Sequence, residues 1–345
     1  MDFSATIINW YNQNKRDLPW RNTKDAYKIW LSEIILQQTR VGQGLPYYLS
    51  FEEHFPTVVD LANADEQKIL KLWQGLGYYS RARNLHYTAK MVVETYKASF
   101  PQSYDELLQL KGIGSYTAAA IASFSSNEPV AVVDGNVFRV LSRIFNIELD
   151  IAQASTKNYF KELAENLMDK AQPSLFNQAL MEFGALQCVP KSPDCSVCVF
   201  NDRCEALKYK KVTLLPIKSK KIKIKKRYFN FILIQNQKEA IAIEKREHKD
   251  IWKNLYQLPL IETQEVQNTN DIILLIKEKF ALKTTNTITY YSEYDVLHKL
   301  SHQELHLKFF RLELSTSAYE MVSMADLKTF PFPIVLHNFL EKIVK

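Results

Sequence analysis

Three features are missing from this chain of 345 residues, and their absence narrows its class. No run of about 18 apolar residues occurs, so the sequence predicts no membrane-spanning helix. The first residues lack the cationic start and apolar core of a secretory signal, and we expect a cytoplasmic, nucleoid-associated protein. No repeat with a period of about 20–50 residues is present. With 46% hydrophobic residues, the chain is long enough for two globular domains.

Cysteine is scarce, and its placement is informative. All four cysteines lie in the pattern Cys188-x6-Cys195-x2-Cys198-x5-Cys204. In a reducing compartment, clustered cysteines more often bind metal than form disulfides. Four thiolates can hold either zinc or a [4Fe-4S] cluster, and the chemistry leaves that choice open. The pattern therefore predicts an inorganic centre that ends one domain.

Acidic residues are missing from residues 208–227, which contain ten Lys or Arg side chains. Without these ten cations, the net charge of +6 becomes −4 for the rest of the chain. This basic band is interpreted either as a solvated linker or as a strap along a polyanion such as DNA.

The spacing of apolar residues changes along the chain and predicts two domains. Residues 1–207 show helical spacing interrupted by short turns, which predicts a mainly α domain. The expected helices cover 3–14, 25–40, 44–55, 66–74, 81–97, 104–110, 115–126, 135–145, 156–169 and 174–187. Residues 228–345 contain aromatic and β-branched stretches at 228–236, 240–247, 287–300 and 305–315, which predict strands. With two further helical stretches, this second domain is α+β.

The helix expected at 25–40 contains a candidate acid. Asp25 is a suitable N-cap, and Glu33, Gln37 and Arg40 would share one stripe. Large apolar neighbours would desolvate the Glu33 carboxyl and raise its pKa toward the range of a general acid. The alternative is an ordinary surface glutamate in a polar row.

Two turns carry further candidates. Gly112 and Gly114 precede a helix that begins at Ser115, and such a turn exposes backbone N–H groups to a phosphate. A plain helix–helix turn is the alternative. Asp134 and Asn136 stand at the start of another helix. Asp134 is either a simple cap or a carboxylate that faces a developing cation.

These stretches resemble the helix-hairpin-helix DNA glycosylase superfamily and, within it, the MutY-type adenine glycosylases. The resemblance is carried by the stretches 30–39 (WLSEIILQQT), 75–84 (GLGYYSRARN) and 133–137 (VDGNV), by the glycine hairpin and by the four-cysteine loop. It implies a monomeric enzyme that removes adenine opposite 8-oxoguanine or guanine in double-stranded DNA. It also implies a [4Fe-4S] cluster, in place of zinc, in the loop 188–204.

The resemblance also implies a domain plan. A glycosylase domain would cover 1–207, the basic linker 208–227, and a MutT-like (Nudix-related) mispair-recognition domain 228–345. The second domain lacks the glutamate-rich Nudix box, so we expect no pyrophosphatase activity.

The family's site residues transfer to matching positions. Glu33 would protonate adenine, Asp134 would stabilise the sugar cation, and Tyr116 and Asn136 would orient the two carboxylates. The implied adenine pocket contains Trp20, Arg21, Leu36 and Glu182. The implied DNA contacts are Gln37, Gln38, Tyr78, Arg81, Gly112, Gly114 and Ser115, with Gln37 and Tyr78 as wedges. The implied cluster ligands are Cys188, Cys195, Cys198 and Cys204.

Two positions separate this chain from its relatives. Endonuclease III relatives carry a Schiff-base lysine where this chain has Tyr116, so the resemblance implies a monofunctional glycosylase. A bifunctional pyrimidine-damage glycosylase and a non-catalytic iron–sulfur DNA-binding module are the alternatives. The family reads 8-oxoguanine through Phe-Ser-His, and this chain has Leu300, Ser301 and His302. Ser301 and His302 can still bind the oxidised base, whereas the aromatic contact is lost. Alternatively, they are polar strand-end residues.

Overall fold

The computed structural model describes residues 2–219, 224–283, 286–314 and 318–343. The chain divides into two compact units, Met1–Asn63 with Asn84–Lys220 and Ala64–Arg83 with Lys221–Lys345. The domain boundaries expected from the sequence stay a prediction. Within the described ranges, no helix combines the length and apolarity needed to cross a membrane.

Helices dominate the first 219 residues, which confirms the predicted mainly α fold. They are α1 (Phe3–Asn14), α2 (Ala26–Leu36), α3 (Val41–His54), α4 (Val58–Asn63), α5 (Glu66–Leu72), α6 (Ser80–Tyr96), α7 (Tyr104–Leu108), α8 (Ser115–Ser126), α9 (Gly135–Ile144), α10 (Ala154–Leu167), α11 (Pro173–Leu186) and α12 (Glu205–Lys208). A short 3-10 turn covers Pro19–Arg21. Helix α4 was missed because its six residues are too few to show a clear period.

Helix α2 begins as predicted but ends four residues early. Asp25 caps it by accepting a hydrogen bond from the Tyr27 N–H at 2.9 Å. The helix ends at Leu36, because Gln38 adopts a left-handed backbone with φ of 54° and α3 begins shortly afterwards. The prediction that one helical stripe joins Glu33, Gln37 and Arg40 is therefore wrong.

The core of the first unit joins α1, α9 and α11 and continues into the cysteine loop. Val140, Phe176 and Phe183 are almost fully buried in this core. Phe200, between the last two cysteines, is 1% exposed, and its ring centroid lies 5.4 Å from that of Phe183. Burial of this loop residue fixes the loop against α9, which Asp134 caps, and α11, which carries Glu182.

The second unit is a mixed sheet with helices, which confirms the predicted α+β class. Its strands are β1 (Lys225–Gln235), β2 (Ile241–Lys245), β3 (Tyr256–Gln257), β4 (Leu260–Thr263), β5 (Ile288–Tyr290), β6 (Val296–Lys299), β7 (Gln303–Glu313) and β8 (Glu320–Val322). Its remaining helices are α13 (Thr269–Lys279), α14 (Met324–Leu327) and α15 (Ile334–Ile343). The main strand order is β3-β2-β1-β7-β5, with β4 beside β1, β6 beside β7 and β8 beside β2. The single strand expected at 287–300 is broken by a 3-10 turn at Ser292–Tyr294.

The parallel pair β1 and β7 forms the centre of this sheet, from Lys225 opposite Gln303 to Gln235 opposite Glu313. Ile232 and Phe310 of these strands are fully buried against α13. Buried and partly exposed residues alternate along most of β7, whereas residues 229–234 of β1 are all buried, as expected for a central strand that is covered on both faces.

The segment Ala64–Arg83 makes specific bonds inside the second unit. Lys71 Nζ donates to the Phe330 carbonyl at 3.1 Å, and Asn254 Nδ2 donates to Glu66 Oε1 at 2.6 Å. Helix α5 is thus held by residues that follow it much later in the sequence.

The ends of the basic band lie in regular structure. Helix α12 ends at Lys208 and β1 begins at Lys225, while residues 220–223 lie outside the described residues. Arg227 is 8% exposed and forms ion pairs with Asp250 at 2.8 Å and Glu262 at 2.7 Å. The last cation of the band therefore stabilises the sheet, and a DNA-strap function for the others stays a prediction.

Candidate active site

The predicted catalytic and pocket residues line one cavity of the first unit. Helices α2, α8, α9 and α11 and the 3-10 turn contribute its walls. The cavity residues that the sequence singled out are Trp20, Arg21, Glu33, Leu36, Tyr116, Asp134, Asn136 and Glu182. The structure therefore brings together side chains that are up to 162 residues apart, since Trp20 and Glu182 share this cavity.

Glu33 is a buried carboxyl and not a surface residue. Only 7% of it is exposed, and burial raises its pKa to about 7. A hydrogen bond with Tyr116 lowers this pKa and the nearby Asp134 charge raises it. Burial also raises the pKa of Tyr116 well above its usual value, so the phenol keeps its proton. The Glu33 carboxyl can therefore hold and release a proton near neutral pH.

Asp134 caps α9 and lies in the same cavity as Glu33. Its Oδ1 accepts hydrogen bonds from the backbone N–H groups of Asn136 and Val137, both at 2.8 Å. Its Oδ2 accepts from Asn136 Nδ2 at 2.7 Å. Burial raises the pKa of Asp134, and these three hydrogen bonds lower it. Asp134 is therefore the cap of α9, and its second function as a carboxylate that faces a developing cation stays a prediction.

Glu182 is held by two arginines. Arg16 donates to it through Nε at 2.8 Å, and Arg21 donates to both of its oxygens at 2.8 and 2.6 Å. Burial raises the pKa of Glu182, but the hydrogen bonds from Arg16 and Arg21 outweigh burial and hold it at about 2. Both carboxylate oxygens of Glu182 accept hydrogen bonds from guanidinium groups. The main effect of Glu182 is therefore to position Arg21. The sequence reading missed Arg16, whose partner lies 166 residues away.

Helix α9 connects the candidate carboxylate with the cysteine loop. Arg139 donates to Asn136 Oδ1 and to the Cys188 carbonyl, both at 2.8 Å. Arg143 is 2% exposed and donates to the Val189 carbonyl at 2.8 Å. The loop therefore supports the residue that orients Asp134.

The four cysteines are in no disulfide and line one small cavity. Among the described residues, no three Cys, His, Asp or Glu side chains come close enough together to hold one ion. A single zinc ion with bonds of about 2.3 Å would bring its sulfurs within roughly 4 Å of one another. Four thiolates around one cavity are also the donor set of a [4Fe-4S] cluster, so these residues fit the predicted cluster, whose presence stays a prediction.

The glycine hairpin is exposed, as a backbone grip requires. Gly112 has φ of 80°, and a Cβ added there would lie 2.9 Å from Asn84 Cβ, so this position requires glycine. Gly114 is the N-cap residue of α8, and Ser115 is the first residue of that helix. Both are exposed. The helix N-terminus therefore faces outward, where it can meet a phosphate.

The loop with Tyr78 lies in the second unit. Tyr78 is 40% exposed with φ of 47°, and its hydroxyl hydrogen-bonds to Ser301 Oγ. Arg81, expected to contact DNA, is instead buried beneath this loop and donates to the Leu76 and Gly77 carbonyls, both at 3.2 Å. Through these hydrogen bonds, its guanidinium supports the loop. Burial leaves little of the guanidinium accessible to a phosphate.

Gln37 and Gln38 differ in exposure. Gln37 Nε2 donates to Thr117 Oγ1 at 3.3 Å and is partly buried, whereas Gln38 is exposed. Ser301 and His302 are exposed in the turn between β6 and β7, and Leu300 is partly buried beside them. The three residues line a cavity together with Tyr78.

Comparison with known proteins agrees with this arrangement. Residues 31–166 match the HhH-GPD superfamily base excision DNA repair proteins, and residues 230–342 match the NUDIX domain. An adenine DNA glycosylase of Buchnera aphidicola subsp. Baizongia pistaciae is 37% identical over 311 residues, which cover 88% of this chain and 84% of that protein. A solved thermostable thymine-DNA glycosylase is 31% identical over 60% of this chain and 95% of its own, with a TM-score of 0.56. A non-covalent endonuclease III–DNA complex is 19% identical over 60% of this chain and 94% of its own, with a TM-score of 0.53, and shows the fold alone.

Proposed function

Because this chain belongs to the adenine DNA glycosylases of the HhH-GPD superfamily, we propose that it removes adenine opposite 8-oxoguanine or guanine as a monofunctional, monomeric enzyme. The family hydrolyses N-glycosyl bonds in base excision repair. The observation that carries the proposal is the shared cavity of Glu33 and Asp134, with Tyr116 hydrogen-bonded to Glu33. No lysine occurs among the described residues that line this cavity, which supports hydrolysis without a Schiff base.

The two carboxyl groups have opposite tasks in this mechanism. Glu33 donates its proton to a ring nitrogen of the extruded adenine, most simply N7, and the base becomes a better leaving group. Breaking the N-glycosidic bond leaves positive charge on the sugar, and the Asp134 carboxylate stabilises that charge. Water then adds to the sugar and leaves an abasic site.

The remaining pocket residues bind the adenine. Trp20 and Leu36 supply apolar surface, and Arg21 supplies hydrogen-bond donors whose direction is fixed by Glu182. Extruding a base costs a few kcal/mol, and it costs least at a mispair. Gln37 and Tyr78 would fill the vacated space, while Gly112, Gly114 and Ser115 would hold the backbone. Ser301 and His302 would read the opposite base.

We also propose that Cys188, Cys195, Cys198 and Cys204 hold a [4Fe-4S] cluster. When bound, the cluster crosslinks four points of its loop, and the chain's own residues carry out the reaction. Arg139 transmits the resulting order to Asn136. Iron and sulfide analysis of the purified protein should find four of each per chain, whereas one zinc per chain would refute this assignment.

The function is tested with four matched duplexes. They contain adenine opposite 8-oxoguanine, adenine opposite guanine, adenine opposite thymine, and thymine glycol opposite adenine. We expect alkali-dependent strand breaks with the first two duplexes only. Cleavage of the thymine glycol duplex alone would overturn the proposal. Borohydride should trap no protein–DNA adduct, and a trapped adduct would show lyase chemistry.

The rate of excision should depend on pH through Glu33. Its pKa is raised to about 7, so the proton needed by adenine is present below pH 7 and is lost above it. Single-turnover rates should therefore fall about tenfold per pH unit above about pH 8. Duplex affinity measured over the same range separates protonation from binding. A rate that stays constant to pH 9 would contradict the acid function of Glu33.

A further inference from the structure

A cavity of about 400 Å³ in the second unit is lined by a histidine that the sequence did not single out as a site residue. The cavity lies between the loop of Tyr78 and the turn that contains Ser301 and His302. His298 of β6 lines it as well. The side chain is partly buried, and no described residue hydrogen-bonds to its ring nitrogens. An imidazole beside a cavity with both nitrogens unused is available to a ligand.

Trp252 supports this imidazole from behind. The two ring centroids lie 6.1 Å apart, and the indole also packs against Phe229 at 6.0 Å. Trp252 has φ of 61°, a left-handed conformation that is costly for a bulky side chain. Strain of this kind persists only where the surroundings enforce it.

Ion pairs enforce the Trp252 conformation. Asp250, two residues before Trp252, accepts from Arg227 at 2.8 Å and from Arg246 at 2.7 Å. Arg246 also donates through Nε to the Ile251 carbonyl at 3.1 Å. The segment before Trp252 is therefore held by Arg227 of β1 and by Arg246, which follows β2, and these bonds restrict the indole that packs against His298.

The chemistry of an oxidised purine suits a neutral imidazole. Guanine offers an acceptor at N7, whereas 8-oxoguanine offers a donor at N7 and a carbonyl acceptor at C8. Burial lowers the pKa of His298, which keeps one ring nitrogen as a donor and the other as an acceptor. Such a ring can accept from N7–H of the oxidised base, and an acceptor facing the N7 of guanine is repelled.

We propose that His298 is a specificity-determining residue that reads the N7 and C8 edge of the base opposite adenine, with Trp252 as its rigid support. The inference rests on the proposed function and adds a residue to it. The pair also supplies an aromatic surface in the cavity that Leu300 lines. The exposed residues Ser301 and His302 would then contact the base together with the fixed imidazole ring of His298.

The test is the ratio of single-turnover excision rates for adenine opposite 8-oxoguanine and opposite guanine. His298→Phe keeps a flat ring against Trp252 but removes both nitrogens. It should lower the ratio about tenfold, chiefly by slowing the 8-oxoguanine duplex, because one base-specific hydrogen bond contributes on that scale. The matched control is His306→Phe, since His306 lies on β7 and stacks on Tyr228 outside this cavity. The control should keep the wild-type ratio.

The outcomes separate the inference from the proposed function. Excision in neither duplex would overturn the proposed function. A wild-type ratio near one would overturn the inference and leave the proposed function intact, because His298 would have no preference to determine. A high wild-type ratio that His298→Phe leaves intact would overturn the inference alone. Equal slowing of both duplexes would also overturn it, because a packing defect does not distinguish the bases. His298→Gln, which has a donor and an acceptor, should recover part of the ratio.

Discussion

Replacing Glu33 with glutamine should reduce the single-turnover rate of adenine excision about 1000-fold while duplex affinity stays near that of the wild type. The amide has no acidic proton to transfer to the base, and general acid catalysis commonly contributes on this scale. Glutamine has nearly the same shape as glutamate, so the cavity lined by Tyr116 and Asp134 is preserved. Rapid-quench kinetics and a binding titration on the same duplex measure the two effects. Excision at the wild-type rate would show that Glu33 is not the general acid.

The same substitution should stabilise the fold, which separates lost chemistry from lost structure. The folded pKa of Glu33, about 7, is raised above the ordinary value of 4.5. The folded state therefore loses stability as the pH rises from 4.5 through 7, by about 3 kcal/mol in total. The Gln variant avoids this loss, so its free energy of unfolding should exceed the wild-type value at pH 8 and match it near pH 4.5. Lower stability at pH 8 would contradict the burial argument.

Replacing Glu182 with glutamine should destabilise the first unit by about 2–3 kcal/mol at pH 7. The Glu182 side chain is 1% exposed and binds two guanidinium groups. The glutamine amide has one acceptor oxygen fewer and no negative charge, so these two cations would lose part of their compensation in a buried site. The expected cost is at the low end for a broken buried pair, because the Arg16 side chain is 36% exposed. Urea unfolding measures it. Excision should also slow, because Arg21 loses its fixed direction.

The pH dependence of that cost has a definite sign. The folded pKa of Glu182 is depressed to about 2 from 4.5, so its stabilisation is fully present above 4.5 and is lost as the pH falls toward 2. The stability difference between wild type and Glu182→Gln should shrink between pH 5 and pH 3. The control is Glu52→Gln, whose half-exposed ion pair with Lys28 should contribute less than about 1 kcal/mol. Similar losses of unfolding free energy in both variants would show that burial does not strengthen the ion pairs of Glu182.

Much of the fold and site follows from local chemistry. Asp25 and Asp134 are short acidic residues before apolar periodic stretches, and both cap helices as such residues should. Gly112 marks a turn that only glycine can make without strain. These features depend on a few consecutive residues, so the sequence displays them directly.

The parts that could not be predicted depend on residues far apart in the chain. Nothing local shows that Gln38 turns left-handed and ends α2, because glutamine has no such preference. The Arg16 partner of Glu182 is visible only after folding. Burial of Arg81 could not be predicted either, since an arginine in the first turn of a helix is usually exposed. His298 could not be singled out from the sequence. The strained backbone of Trp252, whose ring packs against it, is not visible in the sequence either.

The grouping of Ala64–Arg83 with the second unit has a consequence for protein synthesis. Lys71 leaves the ribosome 259 residues before its acceptor Phe330. At about 5–20 residues per second, that delay lasts roughly ten seconds to a minute. During this interval the nascent chain can contain the helices that carry Glu33 and Asp134 while the Tyr78 loop still lacks its partners. The Tyr78 loop therefore gains its hydrogen-bond partner Ser301 only after that later part of the chain has been translated.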